Sequence, residues 1–409
     1  MFKTKVIYPH FNIVTAPDNI ATTCVNCSFN VVATRMSQYL NKYYGIKLTV
    51  YTRIEKNSKV FVEDLFTTII TGYWSPIYSG TLYTLDTPFV ATTYYLNPNH
   101  IPKYIHTTSL WNYVVAQYLG INADITPRGV DDDIASDVYQ RITEMEKKIG
   151  VNNVKKYEVM ALLTGVPGVK YKNHRLVHDV LKKLGIREKS LLICDEPYCD
   201  KKTWSLSTRD VYTLMAQSKL FITLSETEGF GIPPTEAMAV GTPVVHFDTV
   251  FVSAPFSSCN DPAVINDNPG IVDKEQCSLL TANIDDAVKK AWNAIAESRK
   301  RVSVISVEIP HIDVPYDSDV IHFPVPVIKH RLVEANHQPN KYYYSSVYNE
   351  DDVVNAVKEA LMTVNSMSDD EVLEMQEQLH HYAERRFYHK AWLNRLLKFV
   401  VTEQWQAVR

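Results

Sequence analysis

The stretch "SETEGFGIPPTEAMAVGTPVV", residues 225–245, decides the expected fold. The apolar run "KLFITLS" leads into it as a buried strand, and "TPVVHFD" leaves it as the next strand. Between them lies a turn with Gly229 and Gly231, and "PPTEAMAVG" predicts a short helix with proline at its start and glycine just past its end. This strand, turn, helix and strand are typical of a doubly wound parallel sheet, so we expect an α/β protein.

Two glutamates of this stretch, Glu228 and Glu236, lie eight positions apart and point to a binding site. Ligands of such sheets bind beyond the carboxyl ends of the strands, where a helix amino terminus offers N–H groups to an anion. Glu236 could accept hydrogen bonds from a ribose diol, and Glu228 would face whatever lies beyond the phosphates. Alone, either glutamate could be a helix-dipole or solvated turn residue. Together with Gly-x-Gly and the prolyl pair, they favour a site for a sugar, a diphosphate and a ribose.

The β/α pattern extends outward from this stretch. "KVIYP" near the start predicts a strand, a polar stretch follows it, and "SFNVVATRMSQYLNKYYG" predicts a helix before the strand "IKLTVYT". A fresh strand, "KYEVMALLTG", restarts the pattern, and 409 residues exceed the roughly 250–300 at which one core stops growing. We therefore expect an amino-terminal domain over 1–150 and a second domain over 151–385, with an insertion near 298–348 that forms a β-hairpin or an irregular arm.

Composition limits the classes of function. Hydrophobic residues make up 45% and charged residues 22% of the chain, as in globular proteins, and a net charge of -4 gives no general attraction to nucleic acid. No apolar leader and no run of 18 apolar residues occurs, so we expect a cytoplasmic protein without a transmembrane span. Contact with a membrane surface stays open.

Six cysteines leave several readings open. The pairs Cys24 with Cys27 and Cys194 with Cys199 could together form a four-thiolate zinc site, although zinc ribbons bring their pairs closer in sequence. Buried free thiols are the favoured reading, and a disulfide is open if the source is a hyperthermophile.

Two nucleotide-binding classes are disfavoured. No G-x-G-x-x-G follows the first strand of either domain, and "GVPGVK" at 165–170 has neither that spacing nor the P-loop pattern. A dehydrogenase and an NTPase therefore fit poorly. "DDD" at 131–133 predicts a helix start rather than a metal site, and no D-x-D triad is evident in a suitable loop, so we expect no bound metal.

The sequence "EGFGIPPTEAMA", Glu228 to Ala239, resembles the signature of the retaining nucleotide-sugar glycosyltransferases of GT-B fold, in the E-x7-E group that includes α-mannosyl- and α-glucosyltransferases. "ITPRGVDDD" and "KNHRLVHDVLKKL" are similar to other segments of this family. The resemblance implies two Rossmann-like β/α/β domains facing a central cleft, with 1–150 on the acceptor side and 151–385 binding the nucleotide sugar. It also implies that 386–409, containing "YHKAWLNRLLKFV", form a helix that crosses back to the first domain.

The resemblance also implies roles for individual residues. Glu236 would hold the ribose hydroxyls of the donor, Glu228 would contact its sugar, and Lys172 would neutralise the diphosphate leaving group. Glu228 and Lys172 are thus the candidate catalytic residues. The remaining implied donor-binding positions are Gly165, Gly229, Phe230, Gly231 and Ile232, the last three through their backbone.

The implied reaction moves a hexose from a UDP- or GDP-linked sugar to a sugar, lipid or protein-glycan acceptor, with retention and without a metal. The donor is a substrate, and no cofactor is expected. The sequence departs from the family at Val166, where an arginine is usual, and in the first βα loop, which lacks the usual glycine pair. A degenerate protein that binds a sugar nucleotide or glycan without transfer is therefore the alternative. Candidates for the missing cation are Lys170, Arg175 and Arg128. Many members of the family carry an active-site histidine in the first domain, and the candidates for it are His100 and His106.

Overall fold

A computed structural model of the chain describes the residues 11–15, 28–45, 48–51, 66–71, 82–85, 91–92, 104–125, 129–163, 169–260, 274–301, 307–335 and 341–394. Three sheets and the helices packed on them form this part of the protein.

The first sheet contains six parallel strands from the amino-terminal part of the chain. They are β1 (Phe11–Thr15), β2 (Leu48–Tyr51), β3 (Phe66–Thr71), β4 (Leu82–Leu85), β6 (Tyr104–Thr107) and β7 (Asn122–Ile125), with β5 (Ala91–Thr92) paired elsewhere. Their order in the sheet is β2-β1-β3-β4-β6-β7. The strand predicted at "KVIYP" falls outside the described residues, and β1 lies in the stretch after it that we expected to be polar. Strands β3 and β4 were not predicted from the sequence.

The second sheet contains five parallel strands and carries the signature stretch. They are β8 (Tyr157–Leu162), β9 (Leu191–Ile193), β10 (Ser218–Thr223), β11 (Val244–Phe247) and β13 (His322–Val325), in the order β13-β11-β10-β8-β9. Most of their side chains are buried, as expected for a parallel sheet covered on both faces. The first two sheets, with solved structures of the same fold given below, confirm the predicted α/β fold class.

The third sheet is antiparallel, and the sequence predicted no more of it than a β-hairpin or an irregular arm. It consists of β12 (Glu308–Pro310), β14 (Lys329–Glu334), β15 (Lys341–Val347) and β5, in the order β12-β14-β15-β5. Its strands β14 and β15 are antiparallel neighbours, as in the predicted hairpin. Pairing of β15 with β5 ties the region expected to be an insertion to the amino-terminal part of the chain.

Ten α-helices cover these sheets in the described part of the chain. They are α1 (Ser28–Tyr44), α2 (Leu110–Tyr118), α3 (Asp132–Ile149), α4 (Val151–Val154), α5 (His174–Lys183), α6 (Thr208–Ala216), α7 (Ile232–Ala239), α8 (Lys274–Arg301), α9 (Glu350–Ser366) and α10 (Asp369–Arg386). Helix α6 begins with a capping box between Ser207 and Asp210. No described helix is long and apolar enough to cross a membrane.

The helix predicted at the "DDD" run is confirmed, and it ends at the residue before Gly150. Asp131 is the N-cap of α3 and accepts a hydrogen bond from the Ile134 amide at 3.2 Å. The helix ends before Gly150, whose φ of 88° suits glycine. The division into domains at this point stays a prediction, as does the crossing helix, most of which falls outside the described residues.

Two disulfides correct the reading of the cysteines as free thiols. Cys194 is bonded to Cys199, and Cys259 is bonded to Cys277. The proposed four-thiolate zinc site is therefore wrong for Cys194 and Cys199, because disulfide sulfurs are not thiolate ligands. The other half of that site, Cys24 and Cys27, lies outside the described residues.

Candidate functional site

The signature stretch folds as a turn between β10 and α7. Gly231 is the N-cap of α7, and its φ of 94° lies in the left-handed region, which a side chain disfavours. A Cβ at this position would also come within 3.1 Å of the Pro234 side chain. Glycine is therefore required here by conformation and by space. Gly241 follows the helix with a φ of 78°, which confirms the predicted glycine stop.

Glu236 is held at the centre of a buried polar cluster. It is the fifth residue of α7, one position deeper than in a helix that starts at "PPTEAMAVG". Its Oε1 is 2.8 Å from Nη2 of Arg35, on α1, and accepts a hydrogen bond from the Tyr212 hydroxyl, on α6, at 3.0 Å. The Arg35 and Glu236 side chains are only 6% and 8% exposed.

The electrostatics of this cluster favour the ion pair. Burial by itself lowers the pKa of the Arg35 guanidinium, but Tyr212 and Glu236 outweigh burial and raise that pKa above its usual value. Burial raises the pKa of the Tyr212 phenol well above its usual value. Arg35 is therefore charged and Tyr212 neutral at ordinary pH, so both side chains donate to the Glu236 carboxylate.

Lys172 and Glu228 form the second ion pair of the site. The Lys172 Nζ donates to both carboxylate oxygens of Glu228, at 2.6 Å and 2.8 Å. The two side chains are 16% and 18% exposed, so a ligand can reach the pair. The structure thus brings together the two residues predicted to be catalytic, which are 56 positions apart.

Local backbone structure places Lys172. It ends a short 3-10 helix, Lys170–Lys172, and the next residue, Asn173, has a φ of 50°. The Asn173 side chain donates to the Leu224 carbonyl at 3.0 Å, at the end of β10. On the other side of the pair, the Glu228 amide donates to the Phe251 carbonyl at 2.8 Å. Both partners are therefore fixed to the carboxyl-end edge of the second sheet.

Residues that follow the first sheet's strand β6 contact the glycine turn. The Gly229 carbonyl accepts hydrogen bonds from the Asn112 amide at 3.1 Å and the Thr108 hydroxyl at 3.4 Å. Both side-chain donors are buried. The predicted donor-binding residue Gly229 therefore has its carbonyl committed to the protein, and the turn is held by both halves of the chain.

The Phe230 side chain holds in place the backbone that is predicted to lie against the ligand. The Phe230 side chain is 2% exposed and packs edge-on against Phe387, with ring centres 5.8 Å apart. The Phe230 side chain thus anchors the turn and is not available to a ligand, and contact of its backbone with the donor stays a prediction. Ile232 begins α7 and is partly buried.

Several predicted residues are placed elsewhere or lie outside the described residues. Arg175 is 73% exposed in its side chain and pairs with Asp179 at 3.0 Å on the same helix. Lys170 lies on the 3-10 helix that carries Lys172. Gly165, Arg128 and His100 fall outside the described residues, and His106 belongs to β6.

Three residues of the site were not predicted from the sequence, namely Arg35, Tyr212 and Asn112. Arg35 offered a signal, since it lies in the apolar stripe of α1 with the buried residues Met36, Tyr39 and Leu40. An arginine in such a stripe needs a buried acceptor.

Taken together, the site presents a fixed carboxylate, a lysine-glutamate pair and a helix amino terminus, which can bind hydroxyl groups and a phosphate side by side.

Comparison with known proteins agrees with this geometry. Residues 201–255 match the family described as glycosyl transferases group 1. A protein of Acidianus filamentous virus 2 (isolate Italy/Pozzuoli), provisionally named glycosyltransferase ORF378, is 30% identical over 438 aligned positions, covering 97% of this chain and 99% of that protein. The provisionally named glycosyltransferase 63 of Sulfolobus islandicus filamentous virus (isolate Iceland/Hveragerdi) is 30% identical over 229 positions, which cover 56% of this chain and 75% of that protein.

Solved structures share the fold at low sequence identity. A glycosyltransferase from Rickettsia africae ESF-5 aligns with a TM-score of 0.52 at 12% identity, over 96% of this chain and 98% of that one. Sucrose-phosphate synthase from Thermosynechococcus elongatus aligns with a TM-score of 0.50 at 9% identity, over 98% and 100%. The chain therefore belongs to the group 1 glycosyltransferases and has the GT-B fold.

Proposed function

We propose that this glycosyltransferase moves a hexose from a UDP- or GDP-linked sugar to a glycan or lipid-linked acceptor, with retention of the anomeric configuration and without a metal ion. The observation that carries the proposal is the Lys172–Glu228 ion pair, whose Glu228 lies on the turn that leads into α7, the helix of Glu236. The two D-x-D sequences are committed elsewhere, since 131–133 form a helix start and Asp317 and Asp319 pair with arginines, and this supports metal independence.

Glu236 binds the ribose in this proposal. Arg35 and Tyr212 both reach its Oε1 and fix the plane of the carboxylate. Its second oxygen, Oε2, accepts hydrogen bonds from the two ribose hydroxyls. A vicinal diol has two O–H donors and suits a carboxylate oxygen that has its orientation set by the protein.

Lys172 and the start of α7 stabilise the leaving group. The bond between the anomeric carbon and the diphosphate oxygen breaks, and negative charge grows on the diphosphate. In this proposal the Lys172 ammonium and the N–H groups at the amino end of α7 bind that charge.

Glu228 contacts the hydroxyls of the donor sugar. An acceptor hydroxyl oxygen attacks the anomeric carbon on the face that the diphosphate leaves, and its proton passes to the departing diphosphate oxygen. Retention of configuration follows from attack on that face. In this arrangement Lys172 orients Glu228 until the donor binds and then shares its charge with the phosphate.

A second candidate is a protein that binds a sugar nucleotide without transferring the sugar. Val166 in place of the family's usual arginine favours it, as does the engagement of Glu236 by Arg35. Nucleotide binding without turnover would identify this candidate.

The test is release of nucleoside diphosphate from a panel of UDP-, GDP- and ADP-sugars, with simple sugar acceptors, in EDTA and in Mg²⁺ or Mn²⁺. We expect release from one donor in EDTA, and a fall of about 100-fold or more in Lys172→Gln and in Glu228→Gln. Lys183→Gln is the matched control, since Lys183 pairs with Glu350 on the protein exterior. Equal rates in Lys172→Gln and Lys183→Gln would contradict the assignment.

A further inference from the structure

An open cleft lies beside the Lys172–Glu228 pair, between α5 and the third sheet. Its volume is about 590 Å³, within the ~300–1,000 Å³ of typical small-ligand sites. Neither Glu228 nor Glu236 lines it. Its walls come from four separate parts of the chain, which are the segment leading into α5, the loop after β9, the turn before α7, and strands β14 and β15.

The polar groups of the cleft are mixed in charge. Lys170 and Arg175 bring positive charge, whereas Glu196, Glu226 and Glu334 bring carboxylates. Such a lining selects neither a polyanion nor a polycation, because either would meet like charges. It suits a neutral ligand with many hydroxyl groups, which can donate to carboxylates and accept from cations.

Of the two tyrosines that line the cleft, Tyr198 gives it exposed aromatic surface and Tyr343 is buried in its wall. Tyr343 is buried against Tyr171, with ring centres 5.2 Å apart, and Tyr198 is partly exposed next to His178, at 4.7 Å between ring centres. Aromatic side chains combine an apolar face with a polar edge, which matches the apolar C–H face and hydroxyl rim of a sugar ring. The cleft thus offers both kinds of surface that a glycan needs.

Glu226 is the polar anchor of the cleft. It is 7% exposed, and its Oε1 accepts a hydrogen bond from the Asn173 amide at 3.2 Å. Burial raises the pKa of the Glu226 carboxyl, against the effect of hydrogen bonds from Ser345, Asn173 and the Ser346 backbone. Its amide donates to the Tyr171 carbonyl at 2.7 Å, so its position is fixed by the same segment that holds Lys172.

We propose that this cleft binds the glycan portion of the acceptor, as a neutral oligosaccharide held by Glu226 and Tyr198. The identity of the glycan as acceptor rests on the proposed function, whereas sugar binding in the cleft does not. Adjacent residues connect the two sites, because Asn173 lines the cleft while Lys172 pairs with Glu228. A glycan in the cleft therefore ends next to the donor sugar.

Saturation-transfer difference NMR tests this proposal with the full chain and three probes, maltose, cellobiose and α-1,2-mannobiose, each alone and with saturating UDP or GDP. We expect a signal from at least one disaccharide that persists with nucleotide. Glu226→Gln and Tyr198→Ala should each weaken its binding by about tenfold or more, as expected for loss of a hydrogen bond to a charged group or of a stacked ring. Tyr118→Ala, at a partly exposed tyrosine on α2, is the matched control and should bind as the wild type.

The proposal would be overturned by no signal from any disaccharide or by a signal that is unchanged in both cleft variants. Displacement of the disaccharide by nucleotide would also overturn it, because the sugar would then lie in the donor site. Melting temperatures of the variants show whether they fold, and Tyr198→Leu, which removes the aromatic ring but keeps an apolar side chain, replaces Tyr198→Ala if the latter does not. Disaccharide binding without diphosphate release from any donor would refute the proposed function alone. Diphosphate release without disaccharide binding would refute the cleft alone.

Discussion

Replacement of Arg35 by methionine should destabilise the protein strongly, because it leaves the Glu236 carboxylate without its cation. Both side chains of the pair are less than a tenth exposed. Removal of one partner from a buried ion pair costs about 3–5 kcal/mol, a large share of the roughly 5–15 kcal/mol that holds a protein folded. Methionine keeps much of the packing volume of the arginine stem, so the loss reports mainly on charge.

A double variant separates the unpaired charge from the packing of the arginine stem. In Arg35→Met the Glu236 carboxylate stays buried without its cation, whereas Arg35→Met/Glu236→Gln removes both charges. The double variant should therefore recover about 2 kcal/mol or more of the lost free energy of unfolding.

Urea denaturation followed by tryptophan fluorescence measures these free energies of unfolding, since the chain contains six tryptophans. The matched control is Arg175→Met, which breaks a largely exposed pair and should cost less than about 1 kcal/mol. A loss below about 1 kcal/mol in Arg35→Met, or a double variant no more stable than the single one, would refute the reasoning.

Three further predictions concern other parts of the described structure. Burial lowers the pKa of His322 from 6.5 to about 4, so the unfolded state binds the proton more tightly and stability should fall as pH drops from about 6.5 toward 4. In His322→Asn the loss in unfolding free energy between pH 7 and pH 4.5 should be about 2 kcal/mol smaller than in the wild type, and an equal loss in both proteins would count against a buried neutral His322. Gly231→Ala should lower stability by about 1–3 kcal/mol in thermal unfolding, because alanine at a φ of 94° is strained and meets Pro234, and an unchanged melting temperature would contradict this backbone conformation. Asn112→Ala should cost about 1 kcal/mol or more by leaving the buried Gly229 carbonyl short of a donor, and an unchanged free energy of unfolding would show that the bond contributes nothing.

The parts of the fold that the sequence predicted are those with local signals. The strand, turn and helix around Gly231 combine a buried apolar run, a glycine with positive φ and a proline near the helix start, all within a short stretch. The "DDD" helix start was predicted for the same reason, since an N-cap acts on residues three positions away. Of the third sheet, only a hairpin was among the predictions. The pairing of β15 with β5 was not predicted, because it joins strands far apart in sequence and no local pattern encodes it.

The site also contains residues that local sequence patterns predicted and residues that they did not. Glu228 and Glu236 were found by their spacing, and the resemblance supplied Lys172 as a third member. Arg35 belongs to another sheet's helix, and its contact with Glu236 depends on how the two halves of the chain pack. The free-thiol reading failed because two cysteines carry no information in sequence about whether their sulfurs meet.

The most direct test of the central claim is whether Glu236 binds ribose hydroxyls. Isothermal titration should compare the accepted nucleoside diphosphate, UDP or GDP, with its 2′-deoxy and 3′-deoxy analogues on the wild type and on Glu236→Gln. We expect at least one analogue to bind about tenfold or more weakly to the wild type, and this difference to shrink to about threefold or less in Glu236→Gln. Equal binding of the nucleotide and both analogues to the wild type would contradict the account.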